Sequence, residues 1–170
     1  MHGDDSVQSF RKAIPTTFAS FVATGAGIGF IPFAPGTFGS LLGLPIVYFL
    51  NGVAPILIWV SVVMLFLVGI PACTLAARKM QATDPGSIVF DEIAAMPIAF
   101  FPVLCTEESL SIGNAVAGFL WFRLFDIVKP WPANALEKLP EGLGVMIDDT
   151  VAGIYAGGAL WVTIWVYGML

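Results

Sequence analysis

The chain has 170 residues, of which 58% are hydrophobic and 11% charged, against about 25% charged in an ordinary soluble domain. This length suits one domain, and this composition places it in a membrane. The net charge of −5 argues against nucleic acid as a partner, and no basic amphipathic run supports simple electrostatic docking to anionic lipid.

The first residues carry Asp4 and Asp5, and the uncharged region behind them far exceeds the roughly 7 to 15 residue apolar core of a secretory signal. No signal peptide is expected. Residues 1–15 read as a mobile tail and 16–170 as a single membrane-embedded domain. From Ala13 to Ala77 there is no charge at all. Within that stretch, "PFAPGTFGS" (Pro32 to Ser40) has two prolines and two glycines that break a helix before Thr37 or Ser40 caps the next. Such a helix start offers unpaired N–H groups to an anion, although every helix needs a cap. The lack of a downstream Gly-Lys-Ser/Thr rules out a Walker loop.

Phe38–Leu50 is a short apolar run joined through Asn51-Gly52 to Val53–Ala77, so 38–77 reads as a helical hairpin. Its first arm spans incompletely or starts within the bilayer. Val53–Ala77 and Thr150–Leu170 meet the length of about 20 apolar residues that a crossing requires. Cys73 and Cys105 lie in apolar runs without metal-ligand spacing and read as buried thiols.

Next comes "ATDPGSIVFDE", with Asp84 before a Pro-Gly turn and Asp91-Glu92 opening another apolar run. Carboxylates gathered without a cation suit a hard divalent ion bound through oxygen. Acids at a helix N-terminus are equally favoured by the helix dipole. The stretch 93–122 is divided by "CTEES" into arms short for conventional spans, giving a hairpin that re-enters or rests at the interface, with Glu107 and Glu108 as solvated loop charges.

"FRLFDIVKPWP" spaces Arg123, Asp126 and Lys129 three apart, a polar stripe on one helix face ending at Pro130. It reads either as a phosphate clamp with Asp126 orienting a cation, or as a surface ion-pair stripe. Finally, "GVMIDDTVAG" sets Asp148 and Asp149 at the mouth of an uncharged helix. Adjacent helical residues diverge by about 100°, so both serve one site only between helices or at a helix end. Glycines four apart, at 25/29, 39/43 and 153/157, predict close helix packing.

Arg11, Lys12, Arg78, Lys79, Arg123, Lys129 and Lys138 flank the apolar segments and are cytoplasmic under the positive-inside rule. That places Asp84, Asp91, Glu92, Asp126, Asp148 and Asp149 on the same face. The sole histidine is His2, which disfavours histidine nucleophiles, Ser-His-Asp triads and His-ligated zinc. Cys73 and Arg78 have the wrong spacing for a cysteine phosphatase, and no Asp-x-Asp motif is present. A metal-activated water is then the simplest nucleophile for a hydrolase.

Taken together, "APGTFGSL", "DPGSIVFDE", "FRLFDIVKPWP" and "GVMIDDTVAG" follow one another as in the bacterial phosphatidylglycerophosphatase A family, which the chain resembles from about Thr17 to Gly157. The resemblance implies an all-α, multi-pass inner-membrane enzyme with its site on the cytoplasmic face. It further implies Mg²⁺-dependent removal of the terminal phosphate of phosphatidylglycerophosphate. On this chain it assigns Asp91, Glu92, Asp148 and Asp149 to metal, and Thr37, Ser40, Arg123 and Lys129 to phosphate. Asp84, Asp126 and Asp149 become the catalytic acids. "ALEKLPEGLG" departs from the family pattern, with Glu141 where a glycine is usual. Two other classes fit less well. A membrane phospholipid phosphotransferase lacks its Asp-Gly-x-x-Ala-Arg arrangement here, and an ion-handling protein would carry its acids mid-span.

Overall fold

The structure is a computed structural model and describes residues 18–81, 85–106 and 110–168; among these, all regular secondary structure is helical. A short helix α1 (Phe18–Ala23) and a 3-10 turn (Ile28–Phe30) lead to α2 (Pro35–Leu50). Proline suits the first turn of α2, because its missing N–H has no helical partner there. The chain turns at Asn51 and Gly52, where φ is +77°, and α3 (Pro55–Met80) begins on another proline. Arg78 and Lys79 occupy its last turn, where the helix dipole favours cations.

Asp91 and Glu92 lie in the first turn of α4 (Phe90–Ala99), which is interrupted at Phe100 and continued by α5 (Phe101–Leu104). Ser111 then caps α6 (Ile112–Val128), its Oγ accepting from the Asn114 N–H at 3.1 Å. Lys129, in the left-handed region, ends α6. A single turn α7 (Ala133–Leu136) precedes α8 (Glu141–Gly168).

Two of these helices, Pro55–Met80 and Gly142–Gly168, are long and apolar enough to cross a membrane. Only 28% of each apolar window is buried, so most of it faces outward, as lipid-facing helices do and the core helix of a soluble domain does not. The last helix starts well before Thr150. Asp148 and Asp149 therefore sit inside α8 rather than ahead of it. The early start follows from Gly142 and Gly144: a Cβ at the first would collide with the Ile70 carbonyl oxygen and Thr74, and at the second with the carbonyls of Leu139 and Glu137.

Close backbone approach sets the packing throughout. Gly39 and Gly43 of α2 lie on Val89 and Met96, Gly153 and Gly157 of α8 lie on the α4 backbone from Ala95 to Ala99, and Gly118 of α6 seats Phe100. The main core joins Val47, Ile58, Met96, Phe100, Phe122 and Leu160. A second cluster gathers Ala23, Cys73, Ala76, Ala94 and Met146 near the start of α8.

These contacts fix the directions of the helices. Gly36 meets Glu92 and Gly43 meets Met96, so α2 and α4 run parallel. Trp121 bonds Thr163 while Lys129 bonds Asp148, so α6 and α8 are antiparallel. Gly69 meets Met146 and Thr74 bonds Gly142, bringing the end of α3 to the start of α8. The starts of α2, α4 and α8 and the ends of α3 and α6 thus converge at one end of the bundle.

Candidate active site

Nearly all the described acids lie at that convergent end. One carboxylate oxygen from each of Asp91, Glu92 and Asp149 lies within 4.8 Å of the others. All three side chains are largely buried, and Asp91 Oδ1, Glu92 Oε2 and Asp149 Oδ2 have no hydrogen-bond partner among the described residues. A buried carboxylate oxygen without a donor is expensive, and three acids gathered this closely could hold a cation. Burial, together with Glu92 and Asp149 alongside, pushes Asp91 well above the usual carboxylate range. Burial also raises Glu92 to about 7, Asp126 adding to the rise and Arg123 opposing it. A divalent cation would reverse both shifts by favouring the ionised forms.

Arg123 supplies the positive side of the pocket. Its Nη1 donates to Asp126 Oδ2 at 2.5 Å and to Ser40 Oγ at 3.3 Å, and lies 4.0 Å from Glu92 Oε1. Ser40 in turn donates to the Gly36 carbonyl at 2.8 Å, which ties the first turns of α2 to the guanidinium. Gly36 leaves the room this arrangement uses. A Cβ there would collide with Glu92 Oε1 and crowd Arg123 Nη1. Thr37 is half-buried in the same turn, and its side chain bonds no described residue. Asp126 also faces Asp149 and Glu92, linking the guanidinium to the acid group.

Asp148 faces elsewhere. Its Oδ2 accepts from Lys129 Nζ at 2.7 Å, and Lys129 also pairs with Glu137 at 3.3 Å. Burial alone would lower the Lys129 pKa, but these two carboxylates outweigh it and hold the ammonium charged. Helical geometry separates the neighbours: Asp149 turns toward α4, and Asp148 toward the end of α6. One oxygen of Asp148, Oδ1, is buried and unpartnered.

The structure therefore brings together Asp91, Glu92, Asp126, Asp149, Arg123 and Ser40, and places Lys129 with Asp148 in an adjoining ion-pair cluster. Asp84 lies outside the described residues, as do Glu107, Glu108, His2 and the tail at 1–15. Two contributors were not singled out from the sequence. Gly36 was visible only as part of a Pro-Gly helix break, and Glu137 only as a linker charge.

The fold and site define an all-helical membrane protein with a carboxylate-rich, cation-seeking centre where its helix ends meet. The profile of the Phosphatidylglycerophosphatase A family matches residues 21–164. The chain is 43% identical over 139 residues to the Phosphatidylglycerophosphatase A of Haemophilus influenzae, covering 79% of this chain and 82% of that one. It is 37% identical over 142 residues to the Escherichia coli protein of the same name, covering 82% and 80%. A Bacteroides thetaiotaomicron protein with the provisional name phosphatidylinositol-3-phosphatase is 35% identical over 159 residues, covering 91% of this chain and 98% of that protein. No solved structure matches. The chain belongs to the phosphatidylglycerophosphatase A family and is a phosphatase.

Proposed function

We propose that the protein hydrolyses the terminal phosphate monoester of phosphatidylglycerophosphate to phosphatidylglycerol and phosphate, in a Mg²⁺-dependent reaction at the cytoplasmic face of the inner membrane. The observation that carries the reading is the group of unpartnered buried carboxylate oxygens beside Arg123 at the bundle end. Asp91, Glu92 and Asp149 fit the ion, because hard cations take oxygen ligands and these oxygens lack any other partner. When bound, Mg²⁺ would supply Lewis-acid polarisation of the phosphoryl group and a water more acidic than bulk water.

The remaining work falls to side chains already in place. Arg123 offers a planar fork to the equatorial oxygens, and Asp126 and Ser40 hold that fork in orientation. Asp126, beside Asp149 and Glu92, accepts the proton of the attacking water. Lys129 neutralises the second phosphate of the headgroup, with Asp148 and Glu137 positioning its ammonium. The acyl chains stay at membrane depth, so only the outer ester bond enters the site. The positive residues Arg78 and Lys79 at the same bundle end support a cytoplasmic orientation.

The test uses purified protein in detergent with phosphatidylglycerophosphate, measuring free phosphate with Mg²⁺ and with a chelator. Mg²⁺-dependent release is expected, and its absence from folded protein would overturn the assignment. Phosphatidylinositol 3-phosphate is the comparison substrate, chosen because of the Bacteroides thetaiotaomicron relative. Faster turnover of that lipid would move the substrate to an inositol headgroup and leave the site chemistry intact.

A further inference from the structure

An apolar groove of about 580 Å³ runs between α3, the α4–α5 segment and α8, within the roughly 300–1,000 Å³ range of small-ligand sites. On α3 its wall extends from Trp59 to Ile70 along one helix face, about 16 Å at the helical rise. That is close to half of the ~30 Å hydrocarbon thickness, the depth of one leaflet. We propose that this groove holds one acyl chain of the lipid substrate and makes the enzyme selective for chain length; the proposal rests on the lipid-phosphatase reading above.

Three observations select that occupant. The groove starts at Thr150, the residue after Asp149, so a chain entering there descends directly from the acid group. Its lining is almost wholly apolar: the Thr150 hydroxyl already donates to the Met146 carbonyl at 2.8 Å, and the other side-chain donor in the wall is the Trp59 indole N–H. Hydrocarbon is what such a wall recognises. At its far end Trp59 of α3 packs on Phe101 of α5 at a ring-centroid separation of 4.8 Å, and the lining goes no further along α3. A crevice that begins one residue from the acid group and ends at one leaflet's depth acts as a ruler.

Gly158 provides the first probe, because it lines the groove and a Cβ there meets nothing within 4 Å. The measurement is kcat/KM for dioleoyl and for dihexanoyl phosphatidylglycerophosphate in the same detergent. Gly158→Phe should lower the long-to-short ratio about tenfold. Val116→Phe, on a lipid-facing position of α6 outside the groove, should leave the ratio unchanged. Trp59→Ala, which removes one ring of the pair at the far end, should move the preferred chain length upward. A ratio unmoved in both groove variants, or a Gly158→Phe effect that tracks a change in oligomeric state by light scattering, overturns the proposal. Failure of wild-type protein on both lipids would instead sink the phosphatase reading.

Discussion

Arg123 and Lys129 stand near one another on the last turns of α6, yet they serve differently built clusters. Around Arg123 negative charge exceeds positive: Glu92 and Asp126 face it, with Asp91 and Asp149 beyond, and buried oxygens are left without donors. Around Lys129 the pairing is more nearly closed, with Asp148 at 2.7 Å and Glu137 at 3.3 Å. An open cluster is strained until a cation arrives, whereas a closed one positions groups at little cost. Two adjacent residues, Asp148 and Asp149, are thereby divided between the closed cluster and the open one.

The comparison is broken most directly at Asp149. Asp149→Asn should lower phosphate release by about 10³-fold or more. The same change should raise the thermal midpoint in chelator, because a like charge leaves a crowded buried group. Differential scanning fluorimetry beside the activity assay reads both. If Asp148→Asn matches Asp149→Asn in loss of activity and of Mg²⁺ binding, the division between the neighbours is wrong.

Arg123→Lys tests the open cluster from its positive side. A point charge replaces a planar fork that contacts Ser40 and Asp126, so turnover should fall about 10²-fold while folded yield holds. Turnover within twofold of wild type would show that the fork is not used.

A smaller effect is expected in the closed cluster. Lys129→Ala and Asp148→Asn should each cost about tenfold in kcat/KM, and the double variant little more than either, because each acts through the other. Additive losses in steady-state kinetics would separate them.

The smallest effect concerns pH. Burial raises Glu92 to about 7, and a cation needs the ionised carboxylate, so binding must release a proton below that pH. Apparent Mg²⁺ affinity should weaken up to about tenfold per unit as pH falls below 7. Calorimetry in buffers of different ionisation enthalpy measures the released proton, and a flat profile from pH 6 to 8 would remove Glu92 from the ligand set.

Much of this arrangement was legible from pattern alone. Long uncharged runs marked α3 and α8, because a membrane crossing has a length and composition that no neighbour alters. The Asn51-Gly52 turn and the "CTEES" break divided the remaining helices for equally local reasons. The acids at 91, 92, 126, 148 and 149 were readable as a set, and their charge balance suggested a cation. The start of α8 was placed too late because "EGLGVMI" has weak local helical character, and its glycines are explained only by the backbones they touch.

By itself, then, the sequence determined the membrane setting, the helical class and the family, all of which depend on composition, periodicity or motif order. Only the tertiary structure decided which acids meet. Asp91, Glu92 and Asp149 converge because α4 and α8 pack glycine to backbone with their starts at one end. Asp148, one residue away, is carried by helical rotation to Lys129. That choice rests on about 100° of turn per residue and on long-range packing, neither of which a run of letters specifies.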